Sequence, residues 1–420
     1  MSPHAPHRRS VRSPARPGPA PAGSVRPSTA AVTAAVVVLA VLYPLPHATS
    51  WHFFHDAAHL LFSASRPGSA GGLDVYAEHP EFQFGPLSIL VALPLAYLPA
   101  SIGVAAAMVV ASLLGVVAVT TIHDTIDRTR PEGHRTSVLA MVLGVVTLVA
   151  VWSDVAVRTA HLDDAIALAA AAGAVGAIAR RRPWLAVVLL AVAAGAKPWA
   201  IMFAPLALAV PGRDALRRLA ALAGLVLIGW LPFVVDEPGT VHAAASFKIT
   251  NAASSALRAL GFANATTPSW VRPAQVVFGL AVATVLVRTG RWHAVLMATV
   301  AIRLVLDPAV HHYYTAGLVA GVLLWEGIAR PHRVPVVTIL SAVVCEATSG
   351  TPHDAALAGV IRLLFLVALV IVALRTAPAS LRGAGAAPGT DRRTAVVPER
   401  SRVGHRPLAP RRRARPAVFP

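Results

Sequence analysis

The sequence predicts an all-α protein, a polytopic transmembrane helical bundle of about 12 passes. Three observations carry this. First, the 420 residues are 56% hydrophobic and only 13% charged, with a mean hydropathy of +0.64. A soluble domain carries about twice that charge fraction. Second, apolar runs of roughly 15 to 20 residues alternate with short polar loops. Third, the runs are rich in Ala and Leu and lack period-two alternation. Backbone groups in lipid must be bonded internally, so these runs read as helices rather than barrel strands.

The net charge of +18 does not point to nucleic acid. It lies in the terminal tails and short loops, as the positive-inside rule requires. The single cysteine, Cys345, sits in an apolar run, so no disulfide framework or cysteine metal site is expected. Residues 1–28 are rich in Pro, Arg and Ser, too polar for a cleavable signal peptide. They read as a disordered basic cytoplasmic tail. Only Lys197 and Lys248 are lysines among the 37 basic residues, a bias typical of GC-rich bacterial genomes.

Charge bias orders the remaining elements. A first helix over 29–46 leads to an external loop, 47–84, holding Asp56, Asp74, Glu78 and Glu81 against Arg66. Within that loop, Trp51 to Phe62 is an amphipathic stretch suited to the interface. Residues 85–122 are broken by Pro94 and Pro99 and read as one crossing with a re-entrant part. Loop 123–135 falls inside and loop 153–164 outside. Segment 184–211 lies between two arginine clusters, 180–182 and 213–218, so it crosses an even number of times. It reads as a short hairpin with Lys197-Pro198 at its external tip, since the residue before proline disfavours helix. Helices near 219–236, 271–289, 292–306, 313–329, 334–346 and 355–374 then alternate, with acids and histidines in the outer loops and arginines in the inner ones. The transmembrane domain spans 29–375. Residues 376–420 are an Arg-rich cytoplasmic tail suited to anionic lipid. Both termini are expected in the cytoplasm, in a multi-pass protein of the cell membrane.

The polar residues of the outer loops are the candidate site. Asp56, Asp74, Glu78 and His79 interleave with aromatic residues. Carboxylates can deprotonate an acceptor hydroxyl, and aromatic faces suit sugars. Lys197 is an ammonium inside an apolar hairpin, costly by about 2.5 kcal/mol or more unless it faces a cavity or an anionic partner such as a lipid phosphate. WSDVAVRTAHLDDAIAL places Asp154, Arg158, His161, Asp163 and Asp164 at a helix N-terminus, where acids are also stabilised by the helix dipole. In RLVLDPAVHHYYTAG, Arg303 and Asp307 are four apart and can pair, while His311, His312, Tyr313 and Tyr314 offer hydrogen bonds to hydroxyls or phosphate. Adjacent His311 and His312 do not form a helical i, i+4 metal pair. No metal or cofactor is expected, and no phosphate-binding glycine loop occurs.

Four stretches together resemble the bacterial polyprenyl-phosphate-mannose-dependent mannosyltransferases, glycosyltransferase family 87 of the GT-C superfamily. They are FFHDAAHLL followed by DVYAEHPEFQFGPLSILVALPLAYLP, then HLDDAIAL, GAKPWAIMFAPLAL and DPAVHHYYTAGL. The resemblance implies a GT-C-like bundle, a polyprenyl-phosphate sugar donor used at the external face, inversion at the anomeric carbon, and a carboxylate of the first external loop as base. It implies that Lys197 meets the donor phosphate. The family's loop Asp falls here at Ser50 or Trp51, so Asp56 or Asp74 takes that part. His-Leu-Asp-Asp stands where many relatives read Gly-Gln.

The sequence thus reads as a membrane hexosyltransferase. It moves mannose from a polyprenyl-phosphate donor to a hydroxyl of a glycolipid or polysaccharide, amid membrane lipids and without nucleic acid. Lys197 and Arg303 hold the phosphate; Glu78, His79, Asp163, Asp164, His311, His312 and Tyr313 complete the substrate contacts. The alternatives are a transporter or flippase, or a catalytically inactive relative. Transporters tend to place binding groups at the midplane of paired repeats, and neither feature is seen here.

Overall fold

The computed structural model describes residues 48–63, 71–130, 137–330, 334–350 and 353–379. The expected first helix at 29–46, the N-terminal tail and residues 380–420 of the C-terminal tail lie outside the described residues. Within them the chain is helical, with one isolated antiparallel bridge between Thr250 and Thr266 and no strand. Six helices are long and apolar enough to cross a membrane, and six shorter apolar helices of 10–17 residues accompany them.

The amphipathic stretch forms α1 (Trp51–Ser63). The stretch divides into α2 (Pro86–Ala96) and a single long α3 (Ala100–Thr129) at Pro99, the residue before α3, whereas Pro94, expected to break it too, lies inside the last turn of α2. At about 1.5 Å per residue α2 reaches only about 17 Å, half a bilayer, while α3 crosses it. The chain then runs through α4 (Val138–Ser153), α5 (Leu162–Ala179) and α6 (Pro183–Ala196). A tight 3-10 segment, Pro198–Leu208, follows. The second half holds α7 (Ala215–Asp236), α8 (Val271–Arg288), α9 (Val295–Leu306), α10 (Tyr314–Ala329), α11 (Val336–Ala347) and α12 (Ala355–Arg375). These six match the sequence reading closely. Loop 123–135 does not: α3 continues through Asp124, Asp127 and Arg128, because Arg128 and Arg180 both pair with Asp124 and support the extra turns.

Burial separates core helices from lipid-facing ones. The apolar window of α5 is 89% buried and that of α7 only 11%, so α5 is central and α7 peripheral. Small residues make the centre possible, since apolar lipid gives helices little hydrophobic drive and close backbone approach must substitute for it. Where α10 crosses α9, a Cβ on Gly321 would overlap the backbone of Leu296 and Met297.

Two junctions position the outer loops. Residues 48–50 run alongside 157–159, with Ala48, Thr49 and Ser50 N–H groups donating to the carbonyls of Val157, Arg158 and Thr159 at 2.9, 3.1 and 2.9 Å. The break after α6 frees the Ala196 carbonyl. It accepts from the Gly85 N–H at 2.7 Å and the Ser88 hydroxyl at 3.0 Å, so the start of α2 caps the end of α6. A Cβ on Gly85 would collide with the Gly195 carbonyl oxygen. Gly85→Ala is therefore expected to destabilise the protein by about 1–3 kcal/mol, read as a lower unfolding midpoint of the detergent-solubilised protein. An unchanged midpoint would show that the cap yields freely.

Candidate functional site

The site is built around the α6 break. Pro198 stops the helix and leaves Lys197 extended at φ −136°, ψ 111°. Its ammonium is nearly buried and turns to α5, where it pairs with the Asp163 carboxylate and lies 3.4 Å from Asp164. Both acids occupy the first turn of α5, which favours negative charge. Asp163 also accepts from the Asp164 N–H at 2.8 Å and contacts His161 Nδ1 at 3.1 Å. The other ring nitrogen of His161, Nε2, is 3.0 Å from Ser50 Oγ. The result is a continuous chain, Lys197–Asp163–His161–Ser50.

A second cation sits beside it. Arg303, in the last turn of α9, is 6% exposed. Its guanidinium lies between the rings of Trp199 and Tyr314, 4.4 and 4.3 Å from their centroids, a geometry that suits a planar delocalised cation. The expected partner, Asp307, is 3.6 Å away. Arg272, in the first turn of α8, hydrogen bonds to the Gln83 side chain.

These groups open onto one cavity of about 750 Å³, within the size of small-molecule sites. Asp163, Lys197, Arg303, His311, His312 and Tyr313 all line it, together with Ser50, Asp154, His161, Trp199, Arg272 and Tyr314. Every outer segment inferred from charge contributes to the lining, including the 153–164 turn, the Lys197 tip and the 307–313 loop. Asp164, expected among the substrate contacts, does not line it: its carboxylate is buried behind Lys197, 3.4 Å from the ammonium.

The first-loop candidates are placed elsewhere. Asp56 lies on the outer face of α1, its side chain 57% exposed and 3.0 Å from His55. Asp74 ends the short turn Gly72–Asp74, where lost solvation and then the charges of Asp236 and Glu237 raise its carboxyl above the ordinary range. Glu78 is exposed. His79 contacts Glu81 at 3.0 Å and stacks on Phe82. None of these four lines the cavity, although the neighbouring Glu81, Phe82 and Gln83 do. The physical reason is the amphipathicity of α1: its aromatic face, Phe53 and Phe54, turns to the cavity, so Asp56 points away.

Lys197, read as the partner of a lipid phosphate, lines the cavity with its charge matched by two carboxylates, Asp163 and Asp164. Of the other cations lining the cavity, Arg158 and Arg303 each face one carboxylate, Asp154 at 3.3 Å and Asp307 at 3.6 Å, and Arg272 bonds to a neutral amide. Arg272 was missed in the sequence, and its signal was present. It is an arginine in a segment assigned to the outer face, against the positive-inside bias.

Two groups of ligand-type atoms converge. Asp154, His312 and Glu346 bring theirs within 4.8 Å of one another, as do His161, Asp163 and Asp164. In the second group the Lys197 ammonium already takes the cation's place. In the first, His312 Nδ1 is 2.5 Å from Glu346.

These apolar helices and this polar cavity define a membrane protein with a pocket of small-molecule size. The profile of glycosyltransferase family 87 matches residues 82–326. That span covers more than half of the chain, which belongs to this family and is a membrane glycosyltransferase. No curated protein and no solved structure matches it. The matched span includes Asp163, Lys197, Arg303 and Tyr313 and begins after Asp56, Asp74, Glu78 and His79.

Breaking the Lys197 pair leaves buried charge behind. Lys197→Met is expected to cost about 3–5 kcal/mol, and the double change Lys197→Met with Asp163→Leu to recover much of it, as measured by unfolding midpoints in detergent. A separate signature belongs to His312, whose ring is pushed above its ordinary value mainly by its hydrogen bond to Glu346. A raised folded-state value means the contribution is complete below about pH 6.5 and fades as pH rises through the folded value. The stability difference between wild type and Glu346→Gln should shrink on raising pH from 6; a difference that grows would contradict the pairing.

Proposed function

We propose that the protein transfers mannose from a polyprenyl-phosphate donor to an acceptor hydroxyl at the outward membrane face. The observation that carries this reading is the cavity cation pair, Arg303 clasped between Trp199 and Tyr314, with Arg272 at the same wall. A polyprenyl chain stays in the bilayer and presents its phosphate at the helix ends. Guanidinium groups match phosphate oxygens in fork geometry. As the anomeric carbon–oxygen bond breaks, charge grows on the leaving phosphate, and fixed cations in a partly dry site stabilise that charge most. Stacking holds Arg303 by its flat faces, and with only its Nε edge turned to Asp307 at 3.6 Å it keeps further N–H donors for the phosphate. The rings of Tyr313, His311 and His161 supply a surface for sugar faces. Glycolipid or polysaccharide hydroxyls are the acceptors.

The test is transfer of label in proteoliposomes, comparing polyprenyl-phosphate mannose, arabinose and glucose. Wild type is expected to favour mannose. Arg303→Ala and Arg272→Ala should each lower kcat/KM by about 100-fold or more, and Arg303→Lys should not restore it, because a lysine neither stacks flat nor binds bidentately. Transfer that survives both arginine changes but is lost in Asp56→Asn or Asp74→Asn would return the chemistry to the first outer loop and overturn this assignment.

A further inference from the structure

We propose that the acceptor's proton is taken by His161 through the Ser50 hydroxyl, with Asp163 as a positioning residue and Lys197 as the counter-charge behind it. This rests on the glycosyl-transfer reading above and names the proton acceptor that the reading leaves open. Of the four carboxylates on the cavity wall, Asp154, Asp163 and Asp307 each have a cation beside them and Glu81 is held by the His79 ring at 3.0 Å, while neither Asp56 nor Asp74 is there. Ser50, His161 and Asp163 all line the cavity and are joined at 3.0 and 3.1 Å.

The hydrogen-bond chemistry fixes the direction. An ionised carboxylate only accepts, so the proton between His161 and Asp163 belongs to Nδ1. Nε2 then carries the lone pair and accepts from the Ser50 hydroxyl. Lys197 supplies the charge that keeps Asp163 ionised at the end of the chain. The Ser50 oxygen retains lone pairs for a second hydroxyl. When an acceptor O–H binds there, its oxygen attacks the anomeric carbon. The acceptor proton passes to Ser50 as the serine proton passes to Nε2. The bond from carbon to phosphate oxygen breaks, and its electron pair leaves with polyprenyl phosphate. The products are the glycoside, the phosphate monoester and an imidazolium facing Asp163.

Two features argue against a merely structural clasp. Residues 48–50 are already held to 157–159 by three main-chain hydrogen bonds, so the Ser50–His161 contact is not needed to join them. Ala160, directly before His161, is in the left-handed region at φ 51°, a conformation costly for a residue with a Cβ. The chain thus accepts strain at the residue that aims the imidazole. The ring is fixed from both sides, by Tyr313 at 4.0 Å and Phe54 edge-on at 6.3 Å.

The experiment uses the full chain in proteoliposomes with polyprenyl-phosphate mannose and octyl α-mannoside as acceptor. His161→Gln and Ser50→Ala should each lower kcat by about 100-fold or more while donor KM stays within a few-fold. The wild-type rate should fall on the acid side, where the relay's acceptor lone pair is lost. The titratable groups around that ring are Asp163 and Asp164 on α5, and Tyr313 and His311 on the loop after α9, with Lys197 behind Asp163. Asp163→Asn removes the imidazolium's counter-charge and should move this acid limb to lower pH, a shift that a packing defect alone would not produce. The double variant Ser50→Asp with His161→Gln puts a carboxylate where the serine stood. It should recover transfer with the acid limb moved towards the carboxylate range, about pH 4, which also guards against misfolding of the single variants. Wild-type protein that transfers no sugar would overturn the functional reading and the relay with it. Wild-type transfer that His161→Gln retains, or an acid limb that neither change moves, would overturn the relay alone.

Discussion

The structure depends on one buried charge pair. Pro198 ends α6 and leaves a buried ammonium that apolar surroundings would reject. The first turn of α5 answers it with two carboxylates, which the helix dipole itself favours. The most buried of the long helices is thereby tied to the one helix break that matters. The carbonyl freed by the same break is taken up by the start of α2. A single local constraint, the residue before a proline, thus sets three elements in register around the cavity floor.

The same pair divides labour between the cations. Lys197 is spent on Asp163 and Asp164, so its charge serves the architecture and the orientation of His161. Arg303 is held chiefly by ring faces, with Asp307 3.6 Å from its Nε, and it lines the cavity. Ionic pairing and stacking are both ways to keep a cation in an apolar bundle. Only stacking leaves the hydrogen-bonding edge available to a ligand.

Aromatic rings play a matching part on the neutral side of the site. Phe54 packs on Phe84, and Tyr313 lies against both His161 and His311. These contacts pin side chains drawn from α1, the turn before α5 and the loop before α10. They bring residues distant in sequence to one wall, with little demand on backbone regularity in the loops themselves.

Much of this was legible in the residues. Apolar run length gave the helices, and proline gave the breaks at Pro99 and at Lys197-Pro198, though not at Pro94, which stays inside α2. Charge bias sorted the loops into two groups, one of which forms the cavity. Periods and charge totals are local quantities, and a single chain carries them openly. The pairing of side chains was not legible. Asp56 and Ser50 are six residues apart in one outer segment, yet only Ser50 faces the cavity, because the aromatic face of α1 turns inward and carries its acid outward. Lys197 and Asp163, 34 positions apart, are each plausible phosphate or sugar ligands until their contact is seen. Which buried charge meets which is set by how helices pack, and packing is a property of the whole bundle rather than of any segment within it.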